Sequence, residues 1–222
     1  MGSSKRLSRR NQPASLRWIV IAAVCFLPAA WSSGNAAAID GDAAAVLVGR
    51  VIEVTDGDTI HVALASGPVI VRLHSIDTPE RAQPWGRQAT AALARRLRKG
   101  TEVTLQPITQ DEYDRLVAVV YLDEENLNAW MVQQGHAWAY RRYLDDAQYC
   151  AWEQQARASG LGVWSLPPGK RIAPWEFRQA EREHTQIVMG STVETETACV
   201  AAMNDRGPVT NTAAQQSTPA GP

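Results

Sequence analysis

Five short strand-like segments, interrupted once by a helix-like segment, leave few folds open to this chain of 222 residues. The segments are rich in Val and Ile or alternate apolar with polar residues, as half-buried strands do. They span residues 46–54, 59–64, 69–76, 101–108 and 115–122. Between the third and the fourth, residues 86–97 place Ala89, Leu93 and Leu97 at helical spacing, and Gly100 follows as a helix terminator. This order predicts a small sheet with one inserted helix.

The predicted fold class is α+β, mainly β: a five-stranded OB-fold barrel with about three helices, in a domain at 46–180. The other two helices are predicted at 126–134, ending at Gly135, and at 146–158, ending near Gly160. Barrels of this type commonly bind oligonucleotides on one face. The barrel can also be only a scaffold, because fold does not determine function.

The N-terminus has the pattern of an export signal. Five basic residues within 5–17 precede an apolar run at 18–31, and small residues with an Ala-x-Ala site follow at 35–38. The run is shorter than the roughly 20 residues of a membrane-spanning helix, which favours a cleaved signal peptide. The alternative is a signal anchor that is retained in the membrane. We therefore predict a signal peptide at 1–38 and a linker at 39–45. The mature chain is expected to be an exported monomer, periplasmic or secreted, without stable membrane association.

The mature chain is acidic. Residues 1–38 contain five basic and no acidic residues, so their removal leaves 17 Lys+Arg against 23 Asp+Glu and a formal net charge of −6. Nucleic-acid-binding domains are usually basic. The composition therefore argues against binding through a broad basic surface, and it leaves open a structural or protein-binding role in the cell envelope.

The C-terminal residues 181–222 are rich in Thr, Ala, Gln and Pro, which predicts a disordered tail. Cys199 lies in this tail, and Cys150 lies in the domain. Export makes a disulfide between them possible. Two unrelated thiols fit the sequence equally well, because sequence does not report their separation.

Four short stretches carry the residues that could perform chemistry. They are Asp56-Gly57-Asp58-Thr59, Arg72, Asp77-Thr78-Pro79-Glu80 and Tyr113-Asp114-Arg115. Taken alone, most of them have an ordinary explanation as a turn or a surface charge. Arg72 is the exception, because it interrupts the apolar run 69–73, where a charge is costly unless it is paired or faces a site.

Together these residues match the needs of phosphodiester cleavage. Asp58 and Asp77 offer hard oxygen ligands, which suit Ca²⁺ or Mg²⁺ rather than Zn²⁺. A metal ion and guanidinium groups, such as those of Arg72 and Arg115, offset the charge of a pentacovalent phosphorus centre. A carboxylate such as that of Glu80 takes the proton from the attacking water.

One geometric difficulty stands against this grouping. Arg72 and Asp77 are five residues apart, so in an ideal strand they would point to opposite faces. They can converge only if the strand bends or ends near residues 75–76.

The order and spacing of the motifs resemble the staphylococcal nuclease family. The chain contains Asp-Gly-Asp-Thr, Val-Arg-Leu-x-x-Ile-Asp-Thr-Pro-Glu, Trp-Gly-x-x-Ala and Tyr-x-Arg-x-x-Ala-x-x-Tyr, in this order between residues 48 and 164. The resemblance implies an OB-fold nuclease that cuts DNA or RNA, preferably single-stranded, and leaves 3′-phosphate ends.

The resemblance also implies roles at the metal. Ca²⁺ would be the cofactor, bound by the carboxylates of Asp58 and Asp77 and by the backbone carbonyl of Thr78. Glu80 would be the general base that acts on water.

Further roles follow for the substrate. Arg72 and Arg115 would grip the scissile phosphate. Tyr113 would lie near the nucleotide, and Tyr140 or Tyr143 would supply an aromatic contact to the base or sugar.

The chain departs from the family pattern beside Arg115. Asp114 stands where the family usually has Gly, and Glu112 stands where a basic residue often lies. Both put negative charge next to a phosphate-binding group, which affects substrate affinity more than the chemistry.

The leading hypothesis is therefore an exported Ca²⁺-dependent nuclease that hydrolyses DNA or RNA. The alternative is a catalytically silent OB-fold module that binds single-stranded nucleic acid or a protein partner. The complete set of charged site residues favours the enzyme.

Overall fold

The computed structural model describes residues 46–184 and 196–205. The signal peptide predicted at 1–38 and the linker predicted at 39–45 lie outside the described residues and stay predictions. Among the helices of the described part, none is long and apolar enough to cross a membrane.

The described residues contain eight strands. These are β1 (Leu47–Val54), β2 (Thr59–Leu64), β3 (Gly67–Leu73), β4 (Ile76–Asp77), β5 (Glu102–Gln110), β6 (Leu116–Leu122), β7 (Glu125–Asn126) and β8 (Trp138–Ala139). The five long strands pair in the order β3-β2-β1-β5-β6, and a parallel pairing of β3 with β6 closes the sheet into a barrel. The predicted five-stranded OB-fold barrel is confirmed.

The apolar residues of the alternating strands fill the barrel. Val51, Ile60, Val62, Val71 and Leu105 are at most 2% exposed. Burial of each such side chain stabilises the fold by about 1.5–3 kcal/mol relative to exposure. The two-residue period of a strand sends their polar neighbours outward, which explains why the alternation in the sequence predicts the barrel.

Five α-helices lie in the described residues: α1 (Gly86–Arg96), α2 (Leu127–Gln133), α3 (Gln148–Ala158), α4 (Pro174–Glu183) and α5 (Glu196–Asn204). The first three match the predicted helices. Asn126 caps α2 by accepting a hydrogen bond from the backbone N–H of Ala129, which stabilises a helix start. The structure therefore has two helices more than the three expected, both near the C-terminus.

Helix α5 lies within the range 181–222, for which we predicted disorder, and α4 also runs past residue 180. A disulfide joins Cys199 of α5 to Cys150 of α3, with a Cα–Cα distance of 5.8 Å. Val200 and Met203 pack against the core beside it. A covalent bridge and a few apolar side chains hold this helix, and the average composition of the tail does not reveal them. The residues at 185–195 and 206–222 lie outside the described part.

Candidate active site

The turn between β3 and β4 solves the difficulty with Arg72 and Asp77. Strand β3 ends at Leu73, and Ser75 adopts a left-handed backbone with φ of 64°. The chain then enters β4, where Asp77 pairs with Trp138 of β8. Because the strand ends between them, the two side chains meet, and Arg72 Nη2 donates a hydrogen bond of 3.1 Å to Asp77 Oδ1.

Asp58 joins the same cluster from the turn before β2. Its Oδ2 accepts hydrogen bonds of 2.7 Å from both the backbone N–H and the hydroxyl of Thr78. Its Oδ1 lies 3.0 Å from Arg72 Nη1. Gly57 permits this approach, because a Cβ at that position would meet Thr78 side-chain atoms at 2.7–2.9 Å. Thr78 was predicted to act through its carbonyl, and in this structure its N–H and hydroxyl orient Asp58.

Arg178 of α4 completes the cluster, and the sequence analysis missed it. Its Nη2 lies 2.7 Å from Asp77 Oδ2, and its Nη1 lies 3.2 Å from Asp77 Oδ1 and 2.8 Å from Glu80 Oε1. The available signal was Pro174 at the first turn of a helix-compatible segment. That signal predicts the helix, but not the surface on which the helix packs.

Burial shapes the electrostatics of the cluster. Burial raises the pKa of Asp77 to about 6, against the hydrogen bond from Arg178 and the charge of Arg72. Burial and the charge of Asp58 likewise raise the pKa of Asp56 to about 6. Burial opposes the charge on Arg178, but its hydrogen bond to Asp77 raises the pKa of the guanidinium above its usual range. Burial therefore makes Asp56 and Asp77 hold a proton more tightly than exposed carboxyl groups do.

The chemistry of the donor set suits a hard divalent cation. The cluster joins four carboxylates and two guanidinium groups, which leaves two negative charges when all are ionised: Asp56, Asp58, Asp77, Glu80, Arg72 and Arg178. Carboxylate oxygens are the ligands that Ca²⁺ and Mg²⁺ prefer. Within 46–184 and 196–205, however, no group of three or more His, Cys, Asp or Glu side chains is arranged to hold a metal ion. The oxygens of Asp77 face guanidinium groups instead.

All nine predicted site residues line one cleft of about 1600 Å³. They are Asp58, Arg72, Asp77, Thr78, Glu80, Tyr113, Arg115, Tyr140 and Tyr143. The first five are the members that contact one another or Arg178 in the cluster. The structure thus gathers the predicted residues around one concave surface.

Arg115 lies in the cleft apart from the carboxylate cluster. Its Nε donates a hydrogen bond of 2.8 Å to Asp111, a residue that the sequence analysis did not single out, and its guanidinium lies 5.4 Å from the ring centroid of Tyr113. The neighbouring Asp114 has a φ of 58°, a left-handed conformation that favours Gly. The backbone therefore accounts for the Gly that the family usually has at this position.

The aromatic residues differ in exposure. Tyr113 is 70% exposed and Tyr143 is 47% exposed. Tyr140 stacks on Trp175 of α4, with ring centroids 5.7 Å apart and an interplanar angle of 12°. Tyr113 and Tyr143 therefore present exposed ring surface to a ligand, with the guanidinium groups of Arg115 and Arg142 over the respective rings. Tyr140 contributes mainly to the contact between the cleft and α4.

Comparison with known proteins agrees with this geometry. Residues 70–166 match the family model described as staphylococcal nuclease homologue. A protein of Shigella flexneri named micrococcal nuclease is 39% identical over 149 residues, covering 62% of this chain and 83% of the relative. An uncharacterized endonuclease of Haemophilus influenzae is 36% identical over 135 residues, with 60% and 74% covered. Another uncharacterized endonuclease, from Escherichia coli O157:H7, is 37% identical over 131 residues, with 59% and 84% covered.

The matched region contains four of the five cluster residues predicted from the sequence, and the barrel and the motifs agree with the match. The chain belongs to the staphylococcal nuclease family.

Proposed function

We propose that this chain is an exported, Ca²⁺-dependent nuclease that hydrolyses the phosphodiester bonds of DNA or RNA and leaves 3′-phosphate ends. The observation that carries the proposal is Arg72, which is 14% exposed and bridges Asp58 and Asp77 within the cleft. Relatives named nuclease and endonuclease support hydrolysis of phosphodiester bonds, and the family is metal-dependent in general.

The reaction needs a base, and Glu80 is placed to serve as one. Its side chain is 41% exposed, so water can reach the carboxylate. Its backbone N–H donates a hydrogen bond of 2.7 Å to the side chain of Gln83, which holds the segment in place. Glu80 accepts the proton of the attacking water, whose oxygen bonds to phosphorus. The bond from phosphorus to the 5′-oxygen breaks, and the leaving 5′-oxygen takes a proton from solvent. The phosphate therefore stays on the 3′ side.

The charged groups of the cleft stabilise the transition state. Arg72 donates hydrogen bonds to the phosphate oxygens, where charge increases as the water attacks. Arg115 binds the same phosphate after it exchanges Asp111 for the substrate. A divalent cation held by Asp58, Asp77 and Thr78 would supply further positive charge against the phosphate oxygens.

The shape of the cleft supports a single-stranded substrate. Tyr113 and Tyr143 are exposed along the cleft. Stacking of an unpaired base on an aromatic ring contributes about 1–3 kcal/mol per base. Bases within a duplex offer no free face for such stacking, so the exposed rings favour a single strand as substrate.

Export is supported by two independent features. Residues 1–38 have the pattern of a signal peptide. Cys150 and Cys199 form a disulfide, and such bridges persist in oxidising compartments. We therefore propose that the mature enzyme is periplasmic or secreted.

The test is cleavage of a single-stranded oligonucleotide by purified residues 39–222. We expect cleavage with Ca²⁺, none after chelation, and recovery when Ca²⁺ is added in excess. Mg²⁺ should support less activity, because it demands stricter octahedral geometry. Undiminished cleavage in chelator overturns the metal assignment. Tight oligonucleotide binding without cleavage under any of these conditions identifies the silent binding module instead.

A further inference from the structure

Arg178 occupies the carboxylate oxygens that a metal ion would need. Asp77 Oδ2 accepts a hydrogen bond of 2.7 Å from Arg178. Asp77 Oδ1 lies 3.1 Å from Arg72 and 3.2 Å from Arg178. A carboxylate oxygen accepts about two hydrogen bonds, so Oδ1 has no lone pair left for a metal. At Oδ2 the guanidinium at 2.7 Å repels a second cation. The same guanidinium reaches Glu80 Oε1 at 2.8 Å.

The residue lies outside the part of the chain that the family model matches. That match ends at residue 166, whereas α4 spans Pro174–Glu183. The barrel and the motif residues therefore supply Asp58, Asp77 and Glu80, and a separate C-terminal helix supplies the cation that faces two of them.

The side chain of Arg178 is placed so that it can move away from Asp77 and Glu80 without unfolding of the site. Its side chain is 31% exposed, whereas that of Arg72 is 14% exposed. Its partner Glu80 is 41% exposed. Helix α4 is also fixed by another contact, the stack of Trp175 on Tyr140. Rotation of the Arg178 side chain toward solvent therefore frees the oxygens while the helix stays docked.

We propose that Arg178, held in place by its contact with Glu80, is an internal cation that competes with the divalent metal for Asp77 and so sets the metal affinity of the site. This inference rests on the proposed function, because it takes Asp77 as a metal ligand. A metal can enter only the fraction of molecules in which Arg178 has released the carboxylates, and the measured affinity is reduced by that fraction. The helix thus tunes how much Ca²⁺ the enzyme needs.

The experiment measures Ca²⁺ binding by isothermal titration calorimetry on the mature, disulfide-bonded protein, without substrate. The variants are Arg178→Met and the matched control Arg182→Met. Arg182 lies one turn further along α4 and lines the same cleft, whereas the guanidinium partners of Asp77 and Glu80 in the described residues are Arg72 and Arg178. The control removes the same charge from the same helix and therefore measures the long-range electrostatic effect alone.

We expect the Kd of Arg178→Met for Ca²⁺ to fall by about tenfold or more, which corresponds to release of a competitor bound about nine-tenths of the time. Arg182→Met should change the Kd by less than about threefold, because an exposed charge is screened. Arg178→Lys keeps the charge but loses the two-pronged contact, so its Kd should lie between those of the wild type and Arg178→Met.

A second measurement, urea unfolding, shows whether each variant is folded. Urea unfolding should remain cooperative in every variant, and the Ca²⁺-induced rise in midpoint should be larger for Arg178→Met than for the wild type. Should Arg178→Met fail to fold, the Kd of Arg178→Lys decides, and a value no lower than that of the wild type overturns the inference.

The outcomes separate this inference from the proposed function. Wild-type binding of Ca²⁺ with equal or weaker binding by Arg178→Met overturns the inference and leaves the nuclease proposal standing. Binding by Arg178→Met alone supports the inference. No binding by either protein overturns both the inference and the metal site.

Discussion

Replacement of Arg72 by Met tests the cluster in two independent ways, through stability and through catalysis. Met is similar in length and apolar, so it fits the apolar strand 69–73 in which Arg72 lies. The substitution removes the ion pairs of 3.0 Å to Asp58 and 3.1 Å to Asp77. It leaves two carboxylates that are 8% and 1% exposed with fewer partners.

The expected loss of stability follows from what remains. Loss of one partner from a buried ion pair typically costs about 3–5 kcal/mol. Here Asp58 keeps two hydrogen bonds from Thr78, and Asp77 keeps Arg178. We therefore expect a smaller decrease in the free energy of unfolding, about 1–3 kcal/mol, which is the typical cost of one unsatisfied buried polar group.

The expected loss of activity is larger. Arg72 contacts both carboxylates that are proposed to hold the metal, Asp58 and Asp77, and removal of one preorganised donor commonly lowers kcat by about 10²–10³. Cleavage is measured by steady-state assay at saturating Ca²⁺, and stability by urea unfolding. Arg142→Met is the control, because Arg142 lines the cleft but is exposed.

Two results would contradict these roles of Arg72. Wild-type kcat in folded Arg72→Met shows that the chemistry takes place elsewhere. An unchanged free energy of unfolding shows that Arg72 does not neutralise the two buried carboxylates.

Three further predictions concern the disulfide, the buried Glu153 and the acidic residues beside Arg115. Cys199→Ser opens a bridge between residues 49 apart and should lower the free energy of unfolding by up to about 4 kcal/mol; an unchanged urea midpoint contradicts the bridge. Glu153 of α3 is buried, which opposes its ionisation, but hydrogen bonds and charge from Arg141 and Arg157 hold its pKa below the usual range. Its contribution to stability is therefore complete above the unfolded-state pKa and is lost as pH falls through the lowered folded-state pKa. The stability difference between wild type and Glu153→Gln should therefore shrink from pH 7 to pH 3 in urea unfolding, and a constant difference is evidence against this linkage. The double variant Asp114→Gly with Glu112→Lys should lower KM at low salt with less change in kcat, and an unchanged KM places these acids away from the substrate.

The barrel could be predicted from the sequence because its signal is local. Each strand carries its own alternation of apolar and polar residues, and the end of each strand is marked by turn residues. The residues at these ends, such as Asp58 and Asp77, therefore fall together once the strands pair. The order of the sequence motifs resembles that of the staphylococcal nuclease family, and this resemblance also places Asp58 and Asp77 in one site.

Arg178 and helix α5 could not be predicted in the same way. The position of Arg178 depends on where α4 packs, and that packing is a long-range property with no local pattern. Helix α5 is held by Cys199 and by Val200 and Met203 against the core, whereas the composition of the tail as a whole is polar. A single cross-link can therefore order a segment whose average composition predicts disorder.

The catalytic role of the cleft is tested most directly by the single-turnover cleavage rate of Glu80→Gln at saturating Ca²⁺ on a single-stranded oligonucleotide. Gln keeps the shape of the side chain, and the backbone bond from Glu80 to Gln83 does not involve the lost charge. We predict a rate lower by about 10²–10⁴, the usual contribution of a positioned base, in a protein that unfolds cooperatively. Cleavage by the folded variant at the wild-type rate would contradict the assignment of the cleft as the catalytic site.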